Sequence, residues 1–259
     1  MKAQKNPATT KDRRVGLARA LSKLGHCSRS DATTLIRDGE VQLNGRVRRD
    51  PETPVRLSTD KIEVSSQLVQ PPEFVYLALN KPRGLVTTAS DEKGRDTVYS
   101  LLGENKNLPW VAPVGRLDLA SEGLLLLTND SEWGARIASP ASHLEKIYHV
   151  QIVCQDPNAL AQTLAAGVES RGETLRVEKA TVLRQGQRNA WLEITLLEGK
   201  NRHIRRMMEA SSAEVLRLIR VAIGPLTLGT LAKSKVRPLS ASEKSSLDAA
   251  MAHRTAKRS

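Results

Sequence analysis

Four consecutive leucines, Leu124 to Leu127, constrain this chain more than any other feature. A continuous apolar run of this length has no solvent face, so it reads as a strand buried on both sides. Just before it stand Gly115-Arg116-Leu117-Asp118 and then Ala120-Ser121-Glu122-Gly123. Asp118 therefore falls in the loop that enters the strand, where function tends to collect. A carboxylate kept ionised there by a cation can act as a nucleophile. The competing reading is structural: Asp118 caps a turn and pairs with Arg116 on the surface.

The chain has 259 residues, enough for one or two domains with a sizeable core. Its net charge of +12 favours a polyanionic partner, either nucleic acid or an acidic membrane surface. No apolar run approaches the roughly 20 residues needed to span a bilayer, and no apolar signal segment opens the chain. Residues 1–14 read as a flexible basic arm; Asp12 and the lack of serine argue against organelle targeting. Cys27 and Cys154 lie far apart without metal-ligand spacing, as expected of reduced cysteines in a cytoplasmic protein. The five histidines form no ligand cluster, and neither a phosphate loop nor a dinucleotide fingerprint occurs. We therefore expect no metal and no cofactor. With three Trp, three Tyr and one Phe, base stacking should rest on one or two rings.

Residues 15–66 form the first block. Leu17, Leu21 and Leu24 recur at helical spacing up to Gly25. Ser28 or Ser30 can cap a second helix through Leu35 and Ile36, stopped near Gly39. Val41 to Val47 alternate around Asn44-Gly45, a hairpin signal, and Lys61 to Val64 add a strand. Residues 67–73, with Pro71-Pro72, read as a linker.

The second domain should run over 74–240, followed by a basic C-terminal tail, 241–259, either helical or frayed. Strands are expected at 74–79, 85–88, 124–127, 146–153, 181–183 and 191–196, a further apolar-basic run at 215–221, and helices near 98–102, 132–138, 160–166 and from Asn201. No strict βαβ alternation appears. The expected class is α+β: a small helix-helix-sheet domain, then a mixed, largely antiparallel sheet with flanking helices. The basic helix opening at Asn201 carries Arg202, Arg205 and Arg206, an arrangement suited to anions, while Ile204, Met207 and Met208 suit a core.

Three short motifs occur in order: Lys81-Pro82-Arg83-Gly84; Gly115 to Asp118 with the leucine run; and Gly199-Lys200-Asn201-Arg202-His203-Ile204-Arg205-Arg206-Met207. Together with Lys146-Ile147-Tyr148-His149-Val150 and Leu216 to Gly224, they resemble the pseudouridine synthases, in particular the bacterial ribosomal-RNA group of the RsuA type. The first block resembles an S-four-type RNA-binding domain through Leu24-Gly25, Ser28 to Ala32, Gly39-Glu40-Val41 and Leu43-Asn44-Gly45. The resemblance covers roughly residues 15–240. It implies that Asp118 is the catalytic residue, that Tyr148 lies against the target base, that Arg205 pairs with the catalytic carboxylate, and that Leu218 floors the uracil pocket. Arg116, Lys81, Arg202 and Arg206, with Arg29, Arg37 and Arg46 of the first block, would bind RNA. His203 stands where the family usually has Gln. The implied partner is ribosomal RNA or an assembling subunit, the large one in preference to the small, with no cofactor; we expect a monomer. A non-catalytic RNA-binding assembly protein on the same scaffold is the alternative. A glycoside hydrolase would need a second carboxyl beside Asp118, and Glu122 is the nearby candidate.

Overall fold

The computed structural model describes residues 14–256 apart from 71–72, 90, 92 and 104–107. Most of the N-terminal arm and the Pro71-Pro72 step lie outside the described residues. The chain divides into two compact units, the first running to Val75 with short segments around Trp110 and Asn129–Ser131, the second comprising the rest.

In the first unit, β1 (Val15–Gly16) leads into α1 (Leu17–Lys23) and α2 (Arg29–Asp38). The Ser28 hydroxyl accepts from the Asp31 amide at 3.1 Å and so caps α2. Gly39 ends the helix with φ +84°, a left-handed conformation suited to glycine. Then follow β2 (Val41–Leu43), β3 (Arg46–Val47), β4 (Pro54–Val55), β5 (Ile62–Val64) and β6 (Gln67–Leu68). Four of these form a sheet in the order β3-β2-β5-β6, while β1 pairs with β4. Leu17, Leu21, Ile36, Val41 and Ile62 close a core between helices and sheet. The linker expectation for 67–73 needs correcting: Gln67–Leu68 form a strand antiparallel to β5. The turn that makes this possible, Ser65-Ser66, has both φ positive without a glycine, so its signal was weak.

The second unit contains β7 (Tyr76–Lys81), β8 (Ala112–Val114), β9 (Glu122–Thr128), α3 (Ser131–Ala138), β10 (Lys146–Val153), α4 (Pro157–Ala166), β11 (Val168–Ser170), β12 (Glu173–Leu175), β13 (Lys179–Gln185), β14 (Ala190–Leu196), α5 (His203–Ala210), β15 (Glu214–Ile223), β16 (Leu226–Thr227), β17 (Val236–Pro238) and α6 (Ala241–Ala256). The main sheet has the order β13-β14-β10-β15-β9-β7-β17. The leucine strand lies near its middle, with Leu124 to Leu127 at most 1% exposed. Two cores result. One packs α4 and α5 on β10, β14 and β15; the other packs α3 and α6 on β9. Thus residues 241–256 take the helical alternative, with Leu247 and Met251 buried. The strand expected at 85–88 is reduced to a single bridge, Val86 to Thr97.

Two antiparallel half-sheets meet where β15 runs parallel to β9, at Ile219 opposite Glu122 and Arg220 opposite Gly123. The backbones approach so closely that a Cβ on Gly123 would clash with the Arg220 carbonyl oxygen, and φ there is +102°. Beside it Glu122, only 4% exposed at its side chain, accepts from Arg217 Nε at 3.1 Å and from Lys233 Nζ at 2.6 Å. Burial alone would raise its pKa, but the hydrogen bonds and charges of Arg217 and Lys233 outweigh it, and the net direction is down.

Two outcomes follow for stability. Gly123→Ala should cost at least about 2 kcal/mol in urea unfolding, since it adds both backbone strain and a clash with main chain; a loss within about 0.5 kcal/mol would show that the junction yields. Because the folded pKa of Glu122 is depressed, its ionised form stabilises the fold above about pH 4.5, and that contribution is lost as pH falls through the folded value. The stability gap between wild type and Glu122→Gln should therefore narrow in acid; a gap constant from pH 7 to pH 3 contradicts this.

Candidate active site

The loop from Gly115 to Ser121, between β8 and β9, carries Asp118. Five successive carbonyls of this loop each accept a hydrogen bond. Leu117 O accepts from the Thr87 hydroxyl at 2.8 Å. Asp118 O accepts from Lys81 Nζ at 3.2 Å and from the Ser121 amide at 2.9 Å. Leu119 O accepts from the Gly84 amide at 2.8 Å. Ala120 O accepts from Arg205 Nη2 at 3.0 Å, and Ser121 O from Lys81 Nζ at 2.9 Å. A loop next to a buried strand must pair its main-chain groups in this way.

Lys81 ends β7 and is 0% exposed. Its ammonium donates to Pro82 O as well as to Asp118 O and Ser121 O, which uses all three of its N–H bonds. Burial pushes its pKa down to about 8, against the attraction of Asp118 and Glu122. Lys81 is thus a builder of the loop and has no donor left for RNA, which corrects the role expected for it.

The loop forms one wall of a cavity of about 200 Å³. Arg116 and Asp118 stand on that wall; Lys146 and Tyr148 enter from β10, Leu218 and Arg220 from β15, and Arg202, His203 and Arg205 from the start of α5. Leu218 is 5% exposed and serves both cavity and core. Arg116 and Arg202 are exposed at the cavity, the latter with φ +49° at the helix entry.

Arg205 sits among groups of both signs. Burial lowers its pKa, the Asp118 charge raises it, and Arg202 and Arg83 lower it. It reaches the Ala120 carbonyl, and among the described residues no ion pair within 4 Å joins it to Asp118, so its link to the carboxylate is through the loop and through space. Among those residues the Asp118 carboxylate accepts no hydrogen bond, which leaves it presented to the cavity.

Arg206 is not a cavity residue. It is 7% exposed, donates to Ser170 O at 2.8 Å and pairs with Glu173 at 2.7 Å, tying α5 to the β11–β12 hairpin. The RNA contact expected of it is withdrawn. Glu122 does not line the cavity either, so among the described residues the two-carboxyl arrangement of a hydrolase is missing there. Arg29, Arg37 and Arg46 are exposed in the first unit. Arg49, also there, donates to the Arg37 carbonyl at 2.7 Å.

Sequence reading overlooked Lys146, Arg220 and Thr87. Arg220 had a signal: with Leu218 and Ala222 it falls on one face of a period-two strand whose neighbours are apolar. A basic residue on a buried face needs a partner or a purpose.

The RNA pseudouridylate synthase family matches residues 75–210, and the S4 domain matches residues 15–62. A protein of Rickettsia prowazekii described as an uncharacterized RNA pseudouridine synthase is 38% identical over 229 residues, covering 86% of this chain and 94% of its own. One of Mycobacterium tuberculosis with the same description is 35% identical over 233 residues, covering 89% and 92%. A crystal structure of a pseudouridylate synthase superposes with a TM-score of 0.62 at 30% identity, over 90% of this chain and 99% of that one. Sequence family, relatives and fold converge, and the chain belongs to the RNA pseudouridine synthase family.

Proposed function

We propose that the chain isomerises a uridine of ribosomal RNA, with the large subunit's RNA preferred, and that Asp118 is the catalytic carboxylate. The observation that carries this reading is the meeting of Asp118, Tyr148, Arg205 and Leu218 in one cavity, from four separate elements. The reaction breaks the ribose C1′–N1 bond and forms C1′–C5; C5 loses its hydrogen to solvent and N1 gains a proton. The uridine must first leave its stack, at a cost of a few kcal/mol, and needs a flat partner and an apolar floor in exchange. Tyr148 supplies the ring and Leu218 the floor. Asp118 stands at the sugar and promotes cleavage of the glycosidic bond, while Arg205 holds the loop behind it.

Arg116 and Arg202, exposed beside the cavity, suit the phosphates flanking the extruded nucleotide. Arg29, Arg37 and Arg46 give the S4 domain its cationic face, and the net charge of +12 supplies salt-sensitive affinity of the non-specific kind. No step of this chemistry calls on a cofactor, and the protein acts in the cytoplasm as a monomer.

The test is incubation of wild type and Asp118→Asn with protein-free ribosomal RNA and with assembling particles from a strain lacking the gene. Carbodiimide treatment and primer extension then map new pseudouridines. Wild type should produce a new stop, and Asp118→Asn should retain less than about one-hundredth of the rate while binding RNA normally. A stop of equal strength with both proteins removes Asp118 from the chemistry. Absence of any stop with wild type overturns the choice of ribosomal RNA.

A further inference from the structure

Two cations of the cavity, Arg220 buried and Lys146 half-buried, have no role in the reaction described above. Arg220 is 6% exposed. Its Nε donates to Leu124 O at 2.7 Å, whereas its Nη2 is buried without a hydrogen-bond partner among the described residues. Lys146 stands near it; burial and the Arg220 charge push its pKa down to about 8, and among the described residues its Nζ has only a long bond to Leu197 O, 3.4 Å. Among the described residues neither has an acidic partner within 4 Å. Two like charges side by side in a half-dry cavity, one with an unused donor, are unfavourable in the empty protein. They become favourable when an oxygen with negative character enters between them.

The register says which oxygen. Arg220 lies directly opposite Tyr148 in the β10–β15 pair, and Lys146 precedes Tyr148 by two residues on β10. All three line the cavity. A base lying on the Tyr148 ring would therefore turn its edge toward both cations. Uracil carries two carbonyl oxygens, O2 and O4, which accept hydrogen bonds. When C1′–N1 breaks, the bonding pair stays on the base and spreads over N1, O2 and O4. Addition of a carboxylate to the ring would likewise load a carbonyl oxygen.

We propose that Lys146 and Arg220 form a carbonyl-edge subsite that grips the uracil ring and stabilises the negative charge it gains as it detaches. The subsite rests on the uridine pocket assigned above. It acts on the reacting base, and phosphates bind elsewhere. Both groups of the subsite are donors, so the exocyclic amine of a cytosine turned toward them would meet donor against donor and be rejected.

The experiment uses full-length protein and a short RNA spanning the mapped uridine, which also separates the two readings: an inactive wild type indicts the pocket assignment, an active one tests the subsite. Lys146→Gln and Arg220→Lys, each checked for an unchanged melting temperature, should lower the single-turnover rate at saturating RNA at least tenfold and leave RNA affinity within twofold. Lys146→Arg should recover most of the rate. Replacing O2 or O4 of the target by sulfur weakens that acceptor, so thiolation at one of the two positions should slow wild type and leave Lys146→Gln no slower than it already is. Unchanged rates in both variants overturn the subsite. So does a loss confined to affinity with a shallower salt dependence, the mark of a phosphate contact. Equal slowing of wild type and Lys146→Gln by both sulfur substitutions also overturns it.

Discussion

The site depends on one constraint: the carbonyls of residues 117–121 have to be satisfied at the edge of a buried sheet. Water cannot serve them all there, so the protein does. Lys81, Thr87, the Gly84 amide and Arg205 converge on this loop from three directions. Lys81 contributes most, because one ammonium clamps the residue that carries the carboxylate and the last loop residue before the strand. A buried lysine costs several kcal/mol to dehydrate, and it is tolerable here because each N–H has its own carbonyl. The loop is thus rigid in its main chain while the Asp118 side chain stays unclaimed. Catalytic groups are best held in this manner, by preorganised surroundings.

The second constraint is the junction of the half-sheets. Among the described residues one parallel pairing, β15 on β9, joins them, and Gly123 lets the strands meet. That pairing sets the Asp118 loop, which enters β9, next to Arg220 and Leu218, which belong to β15. Glu122 binds Arg217 across the same junction. Fold and site therefore share residues: moving the register of β15 by one would exchange Arg220 and Leu218 for their outward neighbours.

Much of this was legible in the residues themselves. The leucine run marked the central strand, the Lys146–Val153 segment is a strand over its whole expected length, and Ser28 and Gly39 bounded α2 as their chemistry demands. Asp118, Tyr148, Arg205, Arg116, Arg202 and Leu218 do share a cavity. What could not be read was the direction in which long cationic side chains turn. Lys81 and Arg206 look like RNA-facing charges in a basic chain, yet both are buried in hydrogen bonds to main chain that only the folded topology brings within reach. Conversely Arg220 and Lys146 look like ordinary strand residues until the sheet puts them beside Tyr148. The short strand after Ser65-Ser66 and the loss of the one at 85–88 show the usual limit: two-residue pairings are decided by tertiary partners, not by propensity.

The most direct test of the account is the Lys81→Met variant, which keeps the side-chain length and removes the three donors. If Lys81 builds the loop, RNA affinity and its salt dependence should match wild type, while single-turnover pseudouridine formation falls by about a hundredfold through misplacement of Asp118. If affinity drops, its salt slope becomes shallower and the turnover rate at saturating RNA is unchanged, then Lys81 contacts phosphate and the proposed architecture of the loop is wrong.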